Sequence, residues 1–521
     1  MEYSGMKFMK KIIIIGGGIA GLSAGIYALR CGFDVTMLES HSIAGGNCTA
    51  WKRGDYIFEG GMHWLGGSNK KEAVNKLWRH IGAVNDSTNI RYSEPFMEYD
   101  YEGMPIRFYR NVDTTEKYLL ELAPVDAKEI RKLCDNIRKV QNLSEPITDL
   151  RGVKVTKKNR PPLSMFFSAL SVMRMINTYS KISREQYANR FSHEGIREML
   201  RSLPGDKQGI FMMFLTMGSL SRGDGGFPEG GSFPFVGRIV KTFTSLGGEI
   251  LYNTRADRVV FEDGQAAGVK IADRRLSADA VIITADTMAV DYLFDTPLKA
   301  PWLDNMRKVT GPTMVTFICL GINADLTKYP SYYIFKLKKP IKLASQTYDY
   351  LSVSNYASDP AYSPKGKTAM TIQLSGDTYD FWKKVREENR YAEEKQKIAN
   401  DVISAIAAQM PETDGQVEVC DVATPLTYER YCGNWKGSWM TEITADMKFK
   451  AYPAVIKGLN RVYFAGQRIM PPGGLSAALM TGRQLYSIFV VIPTQYLSAK
   501  NNPEVNFFPL VPNCQRCTKF I

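Results

Sequence analysis

Residues 12–15 are four consecutive isoleucines, and they run directly into Gly16-Gly17-Gly18-Ile19-Ala20-Gly21. Apolar residues at every position, rather than at alternate ones, describe a parallel strand covered on both faces. The glycines follow at the spacing GxGxxG and open a stretch with small and apolar residues at helical spacing (Ile19, Leu22, Ala24, Ile26, Ala28, Leu29) that stops at Gly32. Such a junction suits a dinucleotide for physical reasons. Gly16 permits the tight turn, Gly18 lets the backbone approach a pyrophosphate, and Gly21 lets the helix pack close to the strand. The helix start, at Ile19 and Ala20, offers N–H groups and the positive end of the helix dipole. A second strand at 35–38 ends in Glu39, 18 residues past Gly21, where a carboxylate can accept both ribose hydroxyls.

Six residues beyond Glu39 stands a second glycine pair, Gly45-Gly46. Another close backbone approach so soon after the ribose acid favours FAD over NAD, because the longer cofactor needs it. With 521 residues the chain exceeds one ordinary core, so two domains or three lobes are expected. Its 44% hydrophobic and 23% charged residues describe a globular protein. Lys and Arg outnumber Asp and Glu by 66 to 53, a net charge of +13. That bias suits nucleic acid, an anionic membrane surface or an acidic ligand, or is simply a solvated basic surface; no nucleic-acid partner is expected of the chain.

The eight cysteines are scattered, which points to a reducing cytoplasm rather than a disulfide scaffold. Cys514 and Cys517 form a CxxC, but the chain has no second CxxC and only four histidines, so no metal site is expected. The isoleucine run follows Lys10 and Lys11 and ends in glycines, unlike the apolar core of a signal peptide. No apolar stretch reaches the ~18 residues needed to span a bilayer. The expected location is therefore cytoplasmic, with peripheral membrane contact left open.

Residues 71–220 read as helical and irregular. Short strands and turns return over 224–286, with Asp263-Gly264 marking a hairpin and 280–283 a buried strand. Strand-like runs occupy 314–320, 370–374 and 417–422, beside a charged helix near 384–409. A last strand at 461–465 leads through a glycine turn into a helix over 474–490. Cofactor-type segments thus occur at both ends and in the middle. The expected fold is α/β, a discontinuous Rossmann-like FAD-binding domain interleaved with an α+β substrate domain of sheet plus helices. Its segments are 1–70, 224–290 and 455–492. The substrate lobe would take a helical part at 71–223 and a sheet at 291–454, leaving 493–521 as a tail.

The stretch from Lys11 to Gly46 resembles the two-glycine-cluster flavoproteins, the group containing amine oxidases, phytoene desaturases and Rab GDP-dissociation inhibitors. Many members carry Arg before the glycine pair, where this chain has Ala44, so no arginine contact is carried over. Gly45-Gly46-Asn47-Cys48 through Phe58-Glu59-Gly60-Gly61-Met62-His63-Trp64-Leu65-Gly66 is similar to the retinol saturase, carotenoid isomerase and phytoene desaturase branch. His63 after the glycines looks most like the retinol saturase side. The resemblance implies that this segment lies beside the isoalloxazine ring, often with Asp in place of Glu59. It also implies that the backbone at Ala256 meets the adenine. The turn from Gly466 to Gly473-Gly474-Leu475 and Ala478 would then offer N–H groups to flavin O2 and N1, where negative charge develops on reduction. Pro228-Glu229-Gly230-Gly231, and Ala423 to Thr427 with Arg430 and Gly437, are further matching patches. The set expected to hold the cofactor is Gly16, Gly18, Ile19, Ala20, Gly21, Glu39, Ser40, Gly45, Gly46, Asn47, Gly61, Met62, His63, Ala256, Gly466, Gly473, Gly474, Leu475 and Ala478. His63 is also the expected catalytic group, with a packing histidine as its alternative reading.

Two patches suit an apolar ligand. Lys154, Lys157, Lys158 and Arg160 precede Leu163, Phe166, Phe167, Leu170 and Met173 near one helical face, either a membrane-docking element or a core-facing helix beside solvated charge. Ile210 to Met217 is either a tunnel lining or a buried helix. The resemblance implies hydride transfer between flavin N5 and a carbon of a hydrophobic polyene, isoprenoid, retinoid or lipid-like substrate, as desaturation or its reverse. No second GxGxxG follows a strand, so an unidentified electron donor or acceptor is required. The rival readings are an amine oxidase, or a lipid-binding escort without flavin chemistry; the intact glycines and Glu39 argue against the escort.

Overall fold

The computed structural model describes residues 11–143, 147, 172–203, 209–442 and 451–490. The basic segment at 154–160, most of the apolar face after it and the CxxC at 514–517 lie outside the described residues.

The isoleucines form the centre of a five-stranded parallel sheet. Its order is Val462–Phe464, Ala280–Ile283, Lys11–Ile15, Asp34–Leu38 and Glu249–Leu251, so widely separated stretches of chain build one layer. Ile12 and Ile14 point into one core with the helix Ile19–Arg30, and Ile13 and Ile15 into another with Val259, Val269 and Phe464. Both faces are covered, which is why the strand carries no polar residue between them. Asp263 and Gly264 both have positive φ (+49° and +72°), as a two-residue type I′ hairpin requires.

The helix Leu475–Val490 crosses the helix Ile19–Arg30 closely. A Cβ at Gly482 would stand 2.4 Å from the Ala20 carbonyl oxygen, and Ser23 donates to the Leu479 carbonyl at 2.9 Å. This crossing brings the C-terminal glycine turn to the mouth of the first one.

The second lobe is a seven-stranded sheet, ordered Val417–Ala423, Val315–Ile322, Thr368–Ser375, Gln346–Asn355, Tyr332–Leu343, Met97–Tyr101 and Met104–Phe108. Its last two strands lie inside the region read as helical. Glu102 and Gly103, at φ +52° and +87°, make their tight turn, and the alternation around Glu-Gly is the signal that helix-spaced neighbours obscured. The charged helix is two helices, Tyr379–Glu387 and Tyr391–Gln409. Asn389 in the left-handed region (φ +57°) breaks them apart. Phe211–Ser221 is a helix whose Phe211, Phe214, Met217 and Leu220 are buried in the helical core, so most of the Ile210–Met217 run is packing. Among the described residues no helix is long and apolar enough to cross a membrane.

Candidate active site

One cavity of about 1270 Å³ runs along the carboxyl edge of the parallel sheet and under the second lobe. Of the residues expected to hold a cofactor, all but Gly21 and Met62 line it.

Backbone builds one end. Gly16 sits at φ +107°, and its N–H donates to the Leu38 carbonyl at 2.9 Å while Thr284 Oγ1 donates to its oxygen at 2.8 Å. Gly21 serves this turn from behind, since a Cβ there would lie 2.1 Å from the Gly16 oxygen. Gly18 is different. Its φ of −71° is open to any residue, and a Cβ would meet no protein atom closer than 3.9 Å. Nothing in the protein demands glycine at this position, and its bare face leaves room against the helix start. No side chain caps that helix, so its first N–H groups are left to the cavity.

The Gly45 N–H donates to the Gly17 oxygen at 2.9 Å, which ties the second glycine pair to the first. Glu39 closes the group, accepting from the Gly17 and His41 N–H groups at 2.8 Å each. Burial pushes its carboxyl above the ordinary range, against the pull of these donors. An anion cradle, an acid placed for hydroxyls and a bare glycine face all fit the dinucleotide end of FAD.

Side chains build the other end. Glu59 is fully buried and receives the Gly61, Met62 and Ser232 N–H groups and the Ser232 and Tyr362 hydroxyls, with burial raising its pKa. It does not line the cavity. It pins the loop that carries His63 to the Pro228–Gly231 turn and to the second lobe. A Cβ at Gly61 would lie 1.7 Å from the Asn47 oxygen, so the loop closes on the second glycine pair only without one. Met62 is therefore core, its N–H spent on Glu59.

His63 lines the cavity between Trp439 and Trp64, at centroid distances of 4.8 and 6.4 Å, with the Gln373 amide 3.2 Å from Nδ1. Burial lowers its pKa to about 4, so the ring is neutral at pH 7.

In the last turn the Gly473 and Gly474 N–H groups are already used, by the Met470 oxygen and by Gln467 Oε1, each at 3.0 Å. The first intrahelical bond runs from the Ala478 N–H to the Gly474 oxygen, which leaves the N–H groups of Leu475, Ser476 and Ala477 as the helix's donors. The glycines shape the turn, and the helix start behind them offers the hydrogen bonds.

Sequence reasoning missed several lining residues. Arg468 and Asp286 form an ion pair at 2.8 Å with side chains 2% and 5% exposed, and Arg468 also donates to Ser438 and Thr441. Gln467 donates to the Trp439 oxygen at 2.8 Å, and Asn47 donates to the same oxygen at 3.2 Å. Met212, alone of its helix, lines the cavity. Asp286, just past the 280–283 strand, carried a signal, and Met212 lies in the run read as a tunnel lining or a buried helix; Trp439 and Gln467 carried none, because no local pattern aims a side chain across lobes.

The family model described as flavin containing amine oxidoreductase matches residues 19–484. The chain is 21% identical to the all-trans-retinol 13,14-reductase of Danio rerio, over 90% of this chain and 85% of that one. It is 27% identical to the lycopene-forming phytoene desaturase of a Paracoccus strain, over 54% of this chain and 55% of that one. A solved structure of putrescine oxidase bound to putrescine superposes with a TM-score of 0.59 at 14% identity, covering 92% of this chain and 98% of that one.

Proposed function

This chain belongs to the flavin containing amine oxidoreductases and is an FAD-dependent oxidoreductase, and we propose that it saturates or desaturates a carbon–carbon bond of an apolar, polyene or retinoid-like substrate. The observation that carries this reading is the character of the cavity's ring end. Its walls there are His63, Trp64, Met212, Trp439, Met440 and Leu475, and its histidine is held neutral. Each carboxylate lining the cavity already has partners. Asp286 holds Arg468, Asp421 holds Arg53 at 3.0 Å, Glu429 accepts from Tyr379 at 2.7 Å, and Glu39 accepts backbone N–H groups. Asp286 and Asp421 are neutralised by arginines, and Glu39 and Glu429 stand outside the walls just named, so a cationic amine meets no free counter-charge there, whereas an apolar chain needs none. The names of the retinol reductase and phytoene desaturase relatives agree with such a substrate.

Bound FAD supplies a two-electron carrier for hydride. The chain's own residues do the rest. Gly16, Gly18 and the first N–H groups of the helix at Ile19 hold the pyrophosphate, Glu39 the ribose, and the backbone near Ala256 the adenine. Leu475 and Ser476 present N–H groups to the ring edge where charge accumulates. His63, neutral and fixed by Gln373, donates or accepts a hydrogen bond beside the reacting carbon, while Trp64 and Trp439 exclude water. The route for electrons into or out of the cavity runs to a separate partner.

The aromatic pair around His63 is the observation that favours an amine oxidase instead. The two readings separate on products. Without oxygen, photoreduced holoenzyme is expected to add two hydrogens to a carbon–carbon double bond of a polyene, retinoid or enone, or oxidised holoenzyme to remove two from a more saturated chain, with amines left unchanged by the oxidised enzyme, read by mass spectrometry. Turnover confined to amines overturns the proposal.

A further inference from the structure

The cofactor's pyrophosphate is charged, yet the residue before the second glycine pair is Ala44, which brings no cation to it. The cavity lining supplies other cations. Arg255 and Arg430 are exposed and rest over the exposed rings of Tyr292 and Tyr431. Arg468 is held by Asp286 and the half-buried Lys395 lies 5.5 Å from the Tyr391 ring, which leaves the half-buried Lys436. Its Nζ lies 5.7 Å from the centroid of Trp435, and no carboxylate stands within ion-pair distance of it among the described residues.

Its backbone is also unusual. Lys436 adopts φ +51°, a left-handed conformation that lysine rarely takes. The surrounding turn is fastened at both ends to the cradle. Asn434 Nδ2 donates to Asn47 Oδ1 at 2.6 Å, beside the second glycine pair. The Trp435 N–H donates to Asp286 Oδ2 at 3.1 Å, on the strand end whose Thr284 holds Gly16. Gly437 allows no side chain, since a Cβ would lie 1.8 Å from the Pro425 oxygen. Residues 434–437 are therefore tied to the cavity beside the second glycine pair and beside the strand end that holds the first, and Asn434, Trp435 and Lys436 line the same cavity as the helix start at Ile19.

We infer that this turn is a clasp over the cofactor and that Lys436 supplies the charge facing the pyrophosphate, the role a cation at position 44 would otherwise fill. The inference rests on the reading of Gly16–Ile19 as the pyrophosphate end. It places Lys436 among the cofactor-binding residues and makes FAD affinity depend on ionic strength through one side chain.

The test is FAD and riboflavin titration of deflavinated protein, followed by fluorescence at low and high salt, for wild type, Lys436→Gly, Lys436→Arg and Gly18→Val. Lys436→Gly suits the left-handed backbone, so the apoprotein keeps its thermal stability. It is expected to bind FAD about tenfold more weakly at low salt, with a flatter salt dependence, while riboflavin binding is unchanged. Lys436→Arg is expected to restore most of the affinity. An unchanged FAD affinity in Lys436→Gly, or an equal loss for riboflavin, overturns the clasp. If Gly18→Val still abolishes FAD binding in that case, the cradle reading stands alone. If Gly18→Val also binds normally, both fall.

Discussion

The two ends of the cavity are built by different means. The dinucleotide end is made of main chain, from glycines at 16, 18 and 45 and a helix start within one run of about thirty residues. The ring end is made largely of side chains from positions as far apart as His63, Met212 and Trp439, joined by the N–H groups of the helix start at Leu475. Backbone donors are the same whatever the sequence around them, so the first end can be shared by enzymes of unlike chemistry. The second end has to be assembled anew for each substrate, and there function is decided.

The sharpest way to break this contrast is at Gly18. A Cβ there comes no closer than 3.9 Å to any protein atom, so Gly18→Val is expected to fold with little change in melting temperature yet lose FAD by a hundredfold or more, about 3 kcal/mol. Gly21→Val, whose Cβ falls 2.1 Å from the Gly16 oxygen, is expected to yield little folded protein. Circular dichroism and flavin content separate the two failures.

A smaller loss is expected at Glu39. Removing its carboxylate takes away the acceptor of the Gly17 and His41 N–H groups as well as the ribose contact, so Glu39→Ala should weaken FAD by about tenfold to a hundredfold. Isothermal titration checks it. At the ring end, Trp439→Leu is expected to leave FAD affinity within about twofold of wild type while shifting KM across a substrate series.

His63 adds a pH signature. A histidine whose folded pKa is near 4 is neutral in the native protein but protonates in the unfolded chain below about 6.5, so it stabilises the fold least at acid pH. Wild type should therefore lose up to about 3 kcal/mol relative to His63→Gln between pH 6.5 and 4. Urea melts at several pH values read the difference. A comparable effect is expected for Gln467→Leu. It leaves the Gly474 N–H without its acceptor and should cost about 1–3 kcal/mol of holoenzyme stability, together with a shift in the flavin's visible spectrum.

The same contrast explains what the sequence made legible. The strand, turn and helix at 11–30 follow from short-range rules, as do Glu39 and the hairpin at Asp263-Gly264, and the structure places them accordingly. The long hairpin Tyr332–Leu343 with Gln346–Asn355 and the edge strands at 97–108 were harder, since their partners are remote in sequence. His63 was visible only because it follows a glycine cluster. Gln373, 310 residues away, and Trp439 reach it through tertiary packing alone. In the last glycine turn Gln467 captures the Gly474 N–H, a side-chain contact that the glycine pattern does not show.

The central claim, that the ring end serves an apolar carbon–carbon bond, is tested most directly by anaerobic stopped-flow spectroscopy of the reduced holoenzyme. Mixing with a conjugated polyene or retinoid should restore the oxidised flavin's visible band or, for the reverse reaction, mixing the oxidised enzyme with a more saturated chain should bleach it, in a single phase that slows in Trp439→Leu, while amines leave the oxidised enzyme unbleached. Bleaching of the oxidised enzyme by amines, with no response of the reduced enzyme to any conjugated chain, would contradict it.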